Sequence, residues 1–141
     1  MNKILIIEAR FYQDIADALV NSAIEEIEAA GFTYDRISVP GAFEIPAALS
    51  MAIACKKYSA YVCLGCVIRG ETSHYDYVCD QSATGCNKLA VEHMAPIGFG
   101  IITAENRQQA HVRCDKSQKN IGGKAAKAAI SMLRIKQQMG V

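Results

Sequence analysis

Residues 64–80, LGCVIRGETSHYDYVCD, carry an apolar run that stops at Ile68, followed at once by Arg69, Gly70, Glu71, Thr72, Ser73 and His74. A helix-like pattern follows. A cation, a glycine, two hydroxyls and an imidazole on one strand-to-helix turn suit anion capture and proton transfer. Ser73 reads as an N-cap, with Asp76 three residues on in the manner of a capping box. A helix N-terminus offers free N–H groups and the positive end of its dipole. Gly70 would let the backbone turn sharply. Thr72 adds a hydroxyl to what is then a natural phosphate site. His74 falls in the first helical turn, where the dipole opposes its protonation and favours an imidazole that accepts a proton.

Two other stretches share this chemistry-bearing look. Phe11 sits between Arg10 and Tyr12 after the first apolar run, where an exposed aromatic can stack on a planar ligand. Phe43, within PGAFEIP (40–46), either caps the core or meets a ligand. His93 and His111 lie in helical segments without ligand-spaced partners and read as surface or interface residues. Cys63 and Cys66 form a C-x-x-C, but the run AYVCLGCVI reads as a buried strand in which residues three apart face opposite sides. A core role is therefore expected, with no metal site and no disulfide. No P-loop or G-x-G-x-x-G occurs in the sequence.

These residues must be positioned by the elements around them. Apolar runs at 3–9, 34–39, 60–68 and 97–103 read as strands. Helices are expected at 13–30, 44–57, 73–94, 106–113 and 123–138. On the first of these, Ile15, Leu19, Ala23 and Ile27 share one face, and Gly31 ends it. Pro46 suits the first turn of the second, and the third runs on despite Gly85. Strict β-α alternation, with strands apolar on both faces, predicts a three-layer α/β sandwich around a four-stranded parallel sheet. Right-handed crossovers favour the flavodoxin-like order 2-1-3-4, with ligands at the carboxyl ends of the strands. The three chemistry-bearing loops all fall on that edge.

With 141 residues, the expectation is one domain over 1–141. Apolar residues make up 51% and charged residues 21%, which excludes a disordered chain. A net charge of +1 without basic blocks argues against nucleic acid as a partner. The N-terminus has an apolar run of only four residues before Glu8, so neither a signal peptide nor a membrane span is expected, and a cytoplasmic location is.

The stretches PGAFEIP, GCVIRGETSHYDYV, FGIITAEN and the late GGKAA, in this order from Ile4 to about Met132, resemble the lumazine synthase family of riboflavin biosynthesis. The resemblance implies a condensation of 5-amino-6-(D-ribitylamino)uracil with 3,4-dihydroxy-2-butanone 4-phosphate to 6,7-dimethyl-8-ribityllumazine, without cofactor or metal. By position, Phe11 matches the aromatic that stacks on the pyrimidine. Ala42, Phe43 and Glu44 match the segment holding the ribityl chain and ring edge. Cys66, Val67 and Ile68 match the strand end whose backbone reads the pyrimidine. Glu71 and Thr72 match the phosphate turn, and His74 the general base. Phe99 and Arg113 match residues that reach in from a neighbouring subunit, with Arg113 on the phosphate. Phe99 lies near the start of the fourth strand, away from the three loops, so a partner chain is needed to bring it there. Many members carry lysine just before the glycine that opens the last helix; here Ile121 stands there, with Lys119 two residues earlier. The expected assembly is a homo-oligomer, a pentamer, with sites shared between subunits. The alternative on the same fold is a non-catalytic flavin- or lumazine-binding protein or an assembly protein.

Overall fold

The computed structural model describes residues 2–141. Strands β1 (Lys3–Ala9), β2 (Thr33–Val39), β3 (Ala60–Ile68) and β4 (Ile97–Ala104) form one sheet. All pairings are parallel and the order is β2-β1-β3-β4, as expected. The helices are α1 (Gln13–Ala29), α2 (Ile45–Cys55), α3 (His74–His93), α4 (Arg107–Cys114) and α5 (Ile121–Met139). A short 3-10 turn, Ala42–Glu44, precedes α2.

Alternation along the strands sorts the core into two layers. Ile4, Ile6, Val62, Leu64, Cys66 and Ile102 face α1, α4 and α5. Leu5, Ile7, Ala9, Tyr61, Cys63 and Ile101 face α2 and α3. Cys63 and Cys66 thus occupy opposite faces. The run Ile4–Ile7 is at most 1% exposed, and each such side chain contributes about 1.5–3 kcal/mol by leaving water. α1 buries Ile15, Leu19, Ala23 and Ile27 at a spacing of four, the expected stripe.

One boundary differs by more than fraying. α5 begins at Ile121 rather than 123, with Asn120 in the left-handed conformation (φ 49°) and its side chain accepting from the Gly123 N–H at 3.2 Å. Two glycines in a first turn argue against helix by propensity. Packing overrides this, because a Cβ on Gly122 would stand 2.2 Å from the Leu19 carbonyl oxygen of α1. On the sheet side, a Cβ on Gly98 of β4 would stand 1.8 Å from the Ala125 carbonyl oxygen. α5 therefore lies on β4 closely enough to require glycine.

Gly98→Ala should destabilise the protein by at least about 3 kcal/mol, the upper part of the usual overpacking range, because backbone rather than a flexible side chain blocks the methyl group. Denaturant unfolding measures it, with an unchanged m-value if the effect is on stability alone.

Candidate active site

Reversal of the winding direction between β1 and β3 opens a crevice where their carboxyl ends diverge into different loops. A cavity of about 830 Å³ occupies it, within the size range of small-molecule sites. The loop after β1 supplies Phe11, which is 72% exposed. Its ring meets Tyr12 edge-on, with centroids 4.9 Å apart and planes at 73°. Tyr12 in turn faces the Arg107 guanidinium, 5.3 Å from its ring centroid. An aromatic this exposed is not held there by the hydrophobic effect, so its face is open to a ligand.

The segment after β2 supplies Ala42, Phe43 and Glu44 to the same cavity. Phe43 is 51% exposed, which rules out its reading as a core cap. The end of β3 supplies Cys66, Val67 and Ile68; its pairing with β4 runs on to Ile68, but its pairing with β1 ends at Leu64, so backbone groups on the β1 side become available there. Burial, and then the neighbouring Cys114, push the Cys66 thiol up to about 12. It is therefore a neutral S–H in the cavity wall rather than a nucleophile.

α3 begins at His74, which is exposed and lines the cavity. The turn before it departs from the expected cap. Ser73 is in helical conformation (φ −72°, ψ 0°) and its side chain makes no capping bond. Instead the Thr72 hydroxyl accepts from the His74 N–H at 3.3 Å. Asp76 is not a capping-box partner either, since it faces Arg69 at 3.4 Å. Gly70 adopts no left-handed φ, and a Cβ there would meet nothing within 4 Å. Its contribution is open space beside the turn, not a sharp bend. Arg69 is held by Glu105 at 2.8 Å and by Asp76, with its guanidinium 4.3 Å above the Tyr75 ring. Two carboxylates thus offset the one cation of this turn.

Five lining residues lay outside the expected set: Tyr12, Gly41, Tyr77, Val78 and Gln81. Tyr77, Val78 and Gln81 follow His74 by three, four and seven residues, so helical spacing alone puts them on its face. Tyr12 and Gly41 adjoin expected residues. Glu71 and Thr72 are exposed at the turn but do not line the cavity. Phe99 and Arg113 are outside it as well. Phe99 pairs with Cys63, three residues and about 10 Å below Cys66 along the sheet. It is 42% exposed, on the edge strand. Arg113 lies in the last turn of α4 and donates to the Gln109 carbonyl at 3.1 Å. Ile121 packs against the core and Lys119 is exposed; neither reaches the cavity. His111 faces Asp14 at 3.5 Å, and His93 is exposed at the end of α3. Among the described residues, no group of three or more His, Cys, Asp or Glu could hold a metal ion.

Residues 1–137 match the family of 6,7-dimethyl-8-ribityllumazine synthase. The chain belongs to this family. Relatives of that name include one from Zymomonas mobilis, 51% identical over 99% of both chains. Another, from Agrobacterium fabrum, is 49% identical over 97% of this chain and 96% of its own. A third, from Sphingopyxis alaskensis, is 45% identical over 100% and 99%. In this member of the lumazine synthase family, eight of the twelve expected site residues lie together and four, Glu71, Thr72, Phe99 and Arg113, do not. Phe11, Ala42–Glu44, Cys66–Ile68 and His74 surround one cavity. Phe99 and Arg113 do not join them within one protomer.

At pH 8, alkylation by iodoacetamide should label Cys66 far more slowly than exposed Cys55. With its value near 12, the Cys66 thiolate fraction is on the order of a thousandfold below that of an ordinary thiol. Time-resolved peptide mass spectrometry checks this, with unfolded protein, in which all six cysteines should label, as the reference.

Proposed function

We propose that this chain, folded as a single domain, condenses 5-amino-6-(D-ribitylamino)uracil with 3,4-dihydroxy-2-butanone 4-phosphate to give 6,7-dimethyl-8-ribityllumazine, phosphate and water. One observation carries the assignment of roles: an aromatic after β1, the Ala42–Glu44 turn after β2, and the end of β3 with the histidine that follows it border a single cavity. Phe11 stacks on the pyrimidine. The backbone of Cys66, Val67 and Ile68 reads its polar edge, and Ala42, Phe43 and Glu44 hold the ribityl chain. The pyrimidine amine adds to the ketone, and water leaves as the imine forms. His74 takes a proton as phosphate departs by elimination, and the resulting enol tautomerises. The second amine then closes the ring, again with loss of water. Much of the acceleration comes from holding two substrates in reacting geometry, and proton transfer by His74 adds to it.

The phosphate lies at the turn before α3, beside Glu71 and Thr72, where the helix N-terminus points its dipole. Arg69 is already engaged by two carboxylates. The compensating charge is Arg113 from the neighbouring subunit, joined by that subunit's Phe99. A head-to-tail ring supplies such a contact at every site, and we assign a pentamer. Exposed Met51, Val91 and Met94 on and just after α2 and α3, with Phe99 on the edge strand, support a buried subunit contact. The reaction is placed in the cytoplasm, where six free thiols suit a reducing compartment.

His74→Ala should slow turnover by roughly ten- to a thousandfold while substrate binding changes little. Lumazine absorbance from the two substrates measures it, and an unchanged kcat removes His74 from its role. Assembly has its own test. His74→Ala and Arg113→Ala proteins should each be poorly active alone. Unfolded together and refolded at equal amounts, they should recover activity at about a quarter of the sites, since each partner is intact half the time in a random cyclic assembly. Mixed rings no more active than either parent would exclude a shared site.

A further inference from the structure

Phe11 is poorly placed to hold itself still. It is the middle residue of a three-residue connection between β1 and α1, and its ring is mostly in solvent. A ring free to sample rotamers would have to be ordered each time a substrate docked, at a cost in affinity. The chain just before it is tied in an unusual arrangement. Glu8, the penultimate residue of β1, is the only charged side chain among the described residues that is buried, at 2% exposure. Arg36 of β2 clamps it with two bonds, at 2.7 and 2.9 Å. Arg10 adds a third at 2.7 Å.

One carboxylate gripped at both oxygens by Arg36 does not need a second guanidinium to offset its burial. Arg10 spends its remaining donors on the neighbouring loop and helix. Its Nε donates to Gln13 at 3.0 Å, and its other terminal nitrogen donates to Asp17. Gln13 returns a bond to the Arg10 carbonyl at 2.9 Å. On the far side of Phe11, the Tyr12 carbonyl accepts from the Ala16 N–H at 2.9 Å. The residues before and after Phe11 are thus both tied, and Arg10 is tied to the one charge fixed within the sheet layer.

Resting on the lumazine synthase reading of the cavity, we propose that Arg10, anchored by buried Glu8, is a positioning residue that holds Phe11 as a rigid platform for the heterocyclic substrate. Arg10 itself touches no substrate. Its loss leaves Glu8 paired with Arg36, so the fold survives while the loop is released. Loss of Arg36 has the opposite effect: the carboxylate is less well compensated, yet the tie to the loop remains.

The experiment compares Arg10→Ala, Arg10→Lys, Arg36→Ala and Phe11→Ala with the wild type. Steady-state kinetics are run on both substrates, with amide hydrogen exchange over residues 10–12 and thermal unfolding. Arg10→Ala should raise KM for the ribitylaminouracil about tenfold, equivalent to about 1.4 kcal/mol, approaching Phe11→Ala. KM for the butanone phosphate should stay unchanged. Exchange across the loop should quicken. Arg10→Lys, a point charge able to satisfy one acceptor at a time, should fall between. Arg36→Ala should lower Tm and leave both KM values alone. Arg10→Ala with wild-type KM and exchange overturns the inference, and so does an equal rise for both substrates. If Arg10→Ala does not fold, Asp17→Asn, at an exposed position, is expected to show the same pattern in smaller measure; its wild-type behaviour would also overturn it. Should the wild type make no product, the functional reading fails by itself. The exchange measurement then still decides whether Arg10 holds the loop.

Discussion

The reversal of winding between β1 and β3 is the constraint on which the site depends. A right-handed crossover from β1 to β2 puts α1 on one face of the sheet. The crossovers from β2 to β3 and from β3 to β4 run the other way and put α2 and α3 on the opposite face. Both faces are then filled, so the loops leaving β1 and β3 must part, and the gap between them is left open as a cavity. The cavity, Phe11 and the last residues of β3 meet there for a topological reason before any chemical one.

Charge is distributed around that gap with little to spare. Glu8 is desolvated, which alone would push its carboxyl up. Hydrogen bonds from Arg36 and Arg10 outweigh this and hold it below the ordinary carboxylate range. Arg69, at the turn before α3, is likewise spoken for by Glu105 and Asp76. Within a protomer, then, both arginines nearest the loops serve protein carboxylates. What a protomer leaves open there is the backbone at the start of α3 and the hydroxyl of Thr72, and this is the ground for proposing a cation from a second chain.

The strands were legible in the sequence because a sheet covered on both faces leaves unbroken apolar runs. β1 and β3 have the expected bounds to the residue, and β2 and β4 differ by one. The loops bearing Phe11, Phe43 and His74 could be placed at one edge from alternation alone. Features that depend on contacts between distant residues were not legible. Ser73 looked like a cap because its type is right, but the cap is made by Thr72, one residue earlier, through a local φ, ψ choice that composition does not encode. Gly122 fell before the expected helix start at 123, because glycine speaks against helix; that this position must be glycine shows only in its contact with the distant Leu19 carbonyl. Glu8 read simply as part of an apolar strand, since its partners emerge only once β1 lies beside β2. Gln81 and Tyr77 were within reach of helical arithmetic from His74.

The contact between Gly98 and the Ala125 carbonyl has a mechanical consequence. An edge strand ordinarily frays first, because half of its backbone bonds have no protein partner. β4 cannot peel away without lifting α5, and α5 is in turn keyed into α1 through Gly122 and Leu19. Strand and helix therefore open as one cooperative unit whose unfolding requires most of that core layer to come apart. The rim that carries Phe99 is thus among the stiffer parts of the molecule, a hard edge against which another surface can be fitted without first having to be ordered.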